Sequence, residues 1–313
     1  MTDPMRVTRP IEISAASGLL TSTTVAEPSP DETAYDGGAT YAKGDRAIST
    51  TLHWTWESAS AGNSGNALPT AKAASNDYWL SVGPSNRWRM FDQLRDTVTT
   101  GASPLTIVVT PGQRVNALGL VKMIADQVEI TATSVSGGGT VKSEIIGLQT
   151  RDVFGWLDFY TIPFEQVPSV VRYDIPMFSD AVITITLTRG GGDVSIGGLI
   201  LGRYVDIGEV EVNPERDSQN FSTIGFNTWG DSVLTPRRTI PKTSQEVWTD
   251  KSRSRKLLRT LEELNAVPAL WTGISDETDG NFEPLLIVGP YTRWTMRLNE
   301  AGQLVQQIDI REV

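Results

Sequence analysis

Residues 104–112 (PLTIVVTPG), 127–135 (QVEITATSV), 140–148 (TVKSEIIGL), 169–175 (SVVRYDI) and 181–192 (AVITITLTRGGG) are short runs rich in Val, Ile and Thr, broken by Gly or Pro. Branched side chains suit a pleated surface, and alternation of apolar with polar residues is the two-residue period of a half-buried strand. In 181–192 that period puts Ile183, Ile185 and Leu187 on one face and Thr184, Thr186 and Thr188 on the other. No helical period separates the runs. Residues 87–205 are therefore expected to form an antiparallel, jelly-roll-like β-sandwich.

The flanks have a different texture. Residues 1–34 alternate short apolar groups with Ser, Thr and Pro and end in AEPSPDET, which reads as an extended arm or linker with room for one strand. Residues 35–86 are dense in aromatics and glycines, the pattern of a small β module. Residues 206–313 contain the one convincing helix, SRSRKLLRTLEELNAVP, in which Leu257, Leu258, Leu261, Leu264 and Val267 fill an apolar stripe. Asp250 or Ser252 is placed to cap its start, and Pro268 forbids continuation past Val267. Strand-like runs follow, so an α+β layer is expected there, in a chain that is mainly β overall.

Composition removes several chemistries. The 313 residues include no Cys and one His, His53. Disulfides, thiol nucleophiles, thiolate zinc sites and multi-histidine metal sites are excluded on residue type. A net charge of −10 argues against general nucleic-acid binding, which needs clustered Lys and Arg. No apolar run approaches the length of a membrane span, and the opening MTDPMRVTRPIEIS lacks the basic-then-apolar pattern of a signal peptide, so synthesis in a cytoplasm is expected.

Few motifs select a chemistry. Gly137 to Gly139 and Gly190 to Gly192 follow strands, but lack the Lys-Ser/Thr pair and the helix of a phosphate loop, and read as hairpin turns. Asp276, Glu277 and Asp279 offer hard oxygen ligands for an ion, without the ligand spacing of an EF-hand; a solvated loop is the simpler reading. Asp92, Asp158 and Asp174 would serve a glycosidase only if two of them faced each other across a cleft. His53, read as part of the strand TLHWTWES, has no nearby Gly-x-Ser-x-Gly pattern to supply a nucleophile. The aromatics Tyr35, Tyr41, Trp54, Trp56, Tyr78 and Trp79 lie within fifty residues. Exposed, they would make a sugar-stacking platform or a protein interface; buried, they would be the core of a tiny domain.

TYAKGDRAI, HWTWES, GNSGNALP and YWL resemble the small chitin-binding-like modules of bacterial carbohydrate-active enzymes, with Tyr41, Gly44, Asp45, Trp54, Trp56, Pro69 and Trp79 at the matching positions. Tyr35 stands where that pattern has Trp. The run into GPSNRWRMFD and LTIVVTPGQRVNALGL, with LLRTLEELNAVPALWTGI and PLLIVGPYTRWTMRL near the end, resembles structural tail and baseplate proteins of tailed bacteriophages, of the distal-tail kind. The resemblance implies a virion component made in a bacterial host cytoplasm, without catalysis, metal or cofactor. Its expected partners are copies of itself in a symmetric ring built by the C-terminal domain, and other tail or baseplate proteins. The alternative is a carbohydrate- or host-receptor-binding protein that meets a surface glycan through Tyr41, Trp54, Trp56, Tyr78 and Trp79, with Gly44 and Asp45 shaping the module's turn.

Overall fold

The computed structural model describes residues 4–30, 32–94, 97–151, 153–210, 214–226, 228–277, 279–280, 282–298 and 303–312. Strands make up 49% of the chain and helices 9%, in antiparallel sheets with one main helix near the C-terminus, so the mainly β class holds. One pair of short strands, Thr33–Ala34 with Arg46–Ser49, is parallel. By internal contacts the chain divides into residues 11–199 and a second unit of residues 1–10 with 200–313.

Within residues 11–199 the principal sheet runs Gly139–Gly147, Gln127–Ser134, Val182–Thr188, Leu105–Val109, Leu20–Thr23. Its register follows from the alternation. Leu105, Leu187 and Val128 stand in one cross-strand row, Ile107, Ile185 and Ile130 in the next, and Val109, Ile183 and Ala132 in the third. All nine side chains are buried. The opposite face carries Thr106 beside Thr186, their hydroxyls 3.4 Å apart. A slip of one residue would move the whole apolar set to the Thr face.

The turns around this sheet are chemically specified. Gly138 and Gly139 adopt positive φ in the hairpin between Gln127–Ser134 and Gly139–Gly147. Asp180 clasps that turn, accepting from the Ser134 hydroxyl and the Ser136 amide, each at 2.8 Å. These serines, Ser136 first, hold the Asp180 carboxyl well below the usual carboxylate range. Gly190 to Gly192 make no hairpin, because the strand that follows, Val194–Ile196, pairs with Thr99–Gly101 in another sheet.

In the second unit the sheet order is Leu286–Gly289, Ala269–Thr272, Pro4–Pro10, Gly198–Val210, Thr239–Asp250, Gln303–Arg311, Tyr291–Leu298. The first stretch of the expected arm is thus an inner strand. Met5 and Val7 alternate into the core, and Arg6 pairs with Asp206 at 2.8 Å in the same register. A Cβ on Gly202 would lie 1.8 Å from the Arg9 carbonyl oxygen, so this pairing requires glycine there.

The helix Ser254–Glu263 buries Leu257 and Leu261, with Leu264 just beyond, against Met5, Val7, Ile207, Val247, Trp271, Ile308 and Ile310. Leu258, expected on the same stripe, is exposed because it lies about 100° round the helix from Leu257, on the flank of the face that Leu257, Leu261 and Leu264 bury. The expected cap falls one element early: Asp250 accepts from the Ser252 amide at 2.7 Å and so caps the 3₁₀ turn Lys251–Arg253, while the N-cap position of the helix itself is Arg253, which makes no side-chain capping bond.

Two predictions test this account. Ile185→Ala should cost about 2–5 kcal/mol of stability in urea unfolding, as a large-to-small change in a close-packed row, while Thr186→Ala on the other face should cost less than about 1 kcal/mol. Asp180, with its carboxyl lowered in the folded protein, stabilises fully above the unfolded Asp value of about 3.9, and that stabilisation is withdrawn as pH falls below it. Asp180→Ala should therefore be less stable than the parent at neutral pH, with the gap closing in unfolding curves taken below about pH 4.

Candidate functional site

The aromatic module is built inside out relative to a sugar-binding platform. Trp56 and Trp79 are 0% exposed, and with Tyr41 and Ala47 they are its core, flanked by Tyr35, Trp54, Leu52 and Leu68. Tyr35 stacks on Tyr41 at 6.1 Å, and Tyr41 meets Trp79 edge-on at 5.0 Å. The indole N–H of Trp56 donates to the Ala74 carbonyl, and those of Trp79 and the Tyr35 hydroxyl to the Asn66 carbonyl, each at 2.9 Å. The rings therefore hold the long irregular loop of the module by their polar edges. Of the five expected contact aromatics, only Tyr78 is exposed and Trp54 is half-buried, so a platform of Trp54, Trp56 and Trp79 is not presented. The reason is size: a module of some fifty residues has few other large apolar side chains from which to make a core. Gly44, at positive φ, and Asp45, whose carboxylate accepts from the Ala42 amide at 2.7 Å, form a turn.

His53 lies in a turn before the strand Trp54–Ser58, with φ 54°. Its Nδ1 is 2.8 Å from the Glu27 carboxylate, and the Ser85 hydroxyl donates to the other oxygen of the same group. This is not a relay, since a relay needs the imidazole between hydroxyl and acid. Here the acid is central; Ser85 meets His53 only through the main chain, its amide donating to the His53 carbonyl at 3.1 Å, and no side-chain hydrogen bond joins the two. A second buried carboxylate, Glu32, accepts from the Asn86 amide and from Arg89, while the Asn86 side chain bonds Thr100 in both directions. The phrase GPSNRWRMFD thus forms a polar knot that ties the segment before the module to the strand after it. Glu27 and Glu32 went unrecognised in the sequence because nothing local distinguishes a buried carboxylate from a solvated one.

The remaining acidic candidates are held by separate local partners. Asp92 accepts from the Leu94 amide and the Thr97 hydroxyl, and burial pushes its carboxyl up. Asp158 accepts from the Phe154 amide, and Asp174 accepts from Lys142. Among the described residues, no group of three or more His, Asp or Glu is arranged to hold a metal ion; Thr278 and Asn281 of the acidic loop lie outside the described residues. No described helix is long and apolar enough to cross a membrane.

Two elements instead expose large apolar side chains. The first is the loop closed by the pairing of Gln149–Thr150 with Glu165–Gln166, which contains the short helix Trp156–Thr161. No residue of that helix is buried; Trp156 is 85% exposed and Phe154 91%, with Leu157, Tyr160 and Phe164 also outside. The loop is ordered by its own contacts. Arg151 lies over the Phe159 ring at 4.3 Å and the Phe164 ring at 4.6 Å, and donates to the Phe159 carbonyl. The second is the hairpin of Thr223–Phe226 with Ser232–Thr235, exposed on both faces, where Ile224 opposes Leu234 and Phe226 and Trp229 stand at the tip. Aromatic density without strand alternation in VFGWLDFYTIPF is the signal that marks the loop; the hairpin has none beyond its composition.

The chain matches no family model, and no curated protein is similar to it in sequence.

The core role of the module rings has a direct consequence. Trp56→Ala should cost about 3–5 kcal/mol and open residues 35–86 to limited proteolysis, whereas Tyr78→Ala should change stability by less than about 1 kcal/mol.

Proposed function

We propose that the protein is a structural subunit of a bacteriophage tail, at the tail tip, distal tail or baseplate, which assembles with copies of itself and with neighbouring tail proteins and carries no catalysis. The observation that carries this reading is the pair of exposed aromatic elements. Large apolar side chains in ordered, water-facing clusters are what a chain presents when a partner covers them. The resemblance of residues 40–92, 105–120 and 257–298 to phage tail proteins supplies the biological setting. The polar clusters support the same reading, since His53, Ser85 and Glu27 are engaged with one another as a clamp.

Glycan recognition has less support, because the rings that would stack on a sugar are in the module core. Mass spectrometry of purified particles of the phage that encodes this chain should find it in several copies per virion. Particles that infect normally and lack it would refute the assignment.

A further inference from the structure

We infer that the aromatic loop 149–166 of one copy docks on the hairpin 220–239 of a second copy, a heterologous contact that every subunit can both give and receive. The inference rests on the assembly reading above and assigns the surfaces by which it occurs. Three observations carry it.

The first is area. Phe, Tyr and Trp carry roughly 150–250 Å² each, so the loop, with Phe154, Trp156, Tyr160 and Phe164 exposed, offers on the order of 800 Å², about one partner's share of a standard protein interface, and the hairpin, with Phe226, Trp229 and the smaller Ile224 and Leu234, somewhat less. Ordinary monomers rarely expose a patch above roughly 600 Å². The second is shape. The loop is a convex knob: Trp156, Leu157 and Tyr160 project from a six-residue helix with no buried side of its own. The hairpin is a two-stranded ribbon, exposed on both faces, with the Ile224 and Leu234 pair and Phe226 along one of them. Two-stranded ribbons are marginal in water by themselves, and a knob seated on one supplies the missing layer.

The third is charge. By sequence count 149–166 has one cation, Arg151, and three anions, Asp152, Asp158 and Glu165, a net −2; the ribbon 220–239, which extends past the paired strands to Arg237 and Arg238 at its base, has those two cations and Asp231 near its tip, a net +1. Loop on loop or hairpin on hairpin would bring like charges together, whereas loop on hairpin brings opposite ones. The same count argues against a lipid surface, because the loop carries one cation against three anions in a chain of net charge −10. Both surfaces lie on one chain, so a second copy supplies the occupant.

The test is complementation with the full-length chain. The loop variant Trp156→Ser with Tyr160→Ser and the hairpin variant Phe226→Ser with Leu234→Ser alter exposed residues only, and unchanged thermal unfolding would establish that both fold. By sedimentation velocity, the parent should associate within about 0.1–100 µM, and each variant alone should need roughly 30-fold or more higher concentration, the effect of losing a central aromatic anchor. Mixed together, the two variants should form a 1:1 heterodimer, because the intact loop of one meets the intact hairpin of the other. Variants that each assemble like the parent would overturn the inference, as would a mixture without heterodimer. So would a parent that stays monomeric but floats with phosphatidylglycerol-containing vesicles. Those outcomes leave the tail assignment standing if the chain is found in virions, whereas its absence from virions removes that assignment whatever the chain does in solution.

Discussion

Three rows of side chains fix the register of the central sheet: Leu105 with Leu187 and Val128, Ile107 with Ile185 and Ile130, Val109 with Ile183 and Ala132. Because the period along a strand is two, this set is either wholly buried or wholly exposed, and no partial slip is available. What hangs from the sheet inherits that register. Asp126, immediately before the strand Gln127–Ser134, accepts from the Gly190 amide at 2.7 Å and from the Gln149 side chain at 2.8 Å. The Leu148 amide donates to its carbonyl, and the Val167 amide to that of Leu148. The base of the aromatic loop is therefore bolted to the edge of the apolar rows, so its exposed rings project from a rigid support.

The same residue types serve opposite ends in this chain, and context separates them. In the module, Trp56 and Trp79 donate to carbonyls of the loop that folds over them, and the Tyr41 hydroxyl accepts from the Asp36 amide of the neighbouring turn. In 153–164 the self-contacts include Arg151 over the Phe159 and Phe164 rings and Tyr160 edge-on to Phe159, while Phe154, Trp156 and Tyr160 remain largely exposed. A ring whose edge is bonded to its own loop belongs to a core. A ring exposed to water with its edge unbonded to its own loop is what the proposed assembly would use as a contact surface.

This distinction explains what could be read from the residues. The strands around 105–109, 127–134 and 182–188 were visible because alternation is local, and the helix after Ser254 because 3.6-residue periodicity is too. The pairing of Pro4–Pro10 with Gly198–Val210 was not, since it joins residues some two hundred positions apart. It also moves Pro4–Pro10 from an expected arm into the second unit's sheet. Trp56 and Trp79 were visible as important but not as buried, because burial depends on what else the fold has available for a core. Glu27 and Glu32 look like ordinary surface acids until the loop carrying Ser85, Asn86 and Arg89 closes around them.

Charge and apolar surface then act at different ranges. A net charge of −10 makes copies repel as they approach, which disfavours indiscriminate contact between aromatic patches. Repulsion summed over the whole surface is screened within roughly 8 Å at physiological salt, so it governs encounter more than the docked state. At contact, what counts is the local balance, and there the loop is negative while the hairpin is positive. On the proposed assembly, copies that stay apart when dilute and find one register when concentrated would need both features. Weak overall repulsion rejects misaligned collisions, and one complementary pair of apolar surfaces rewards the aligned one.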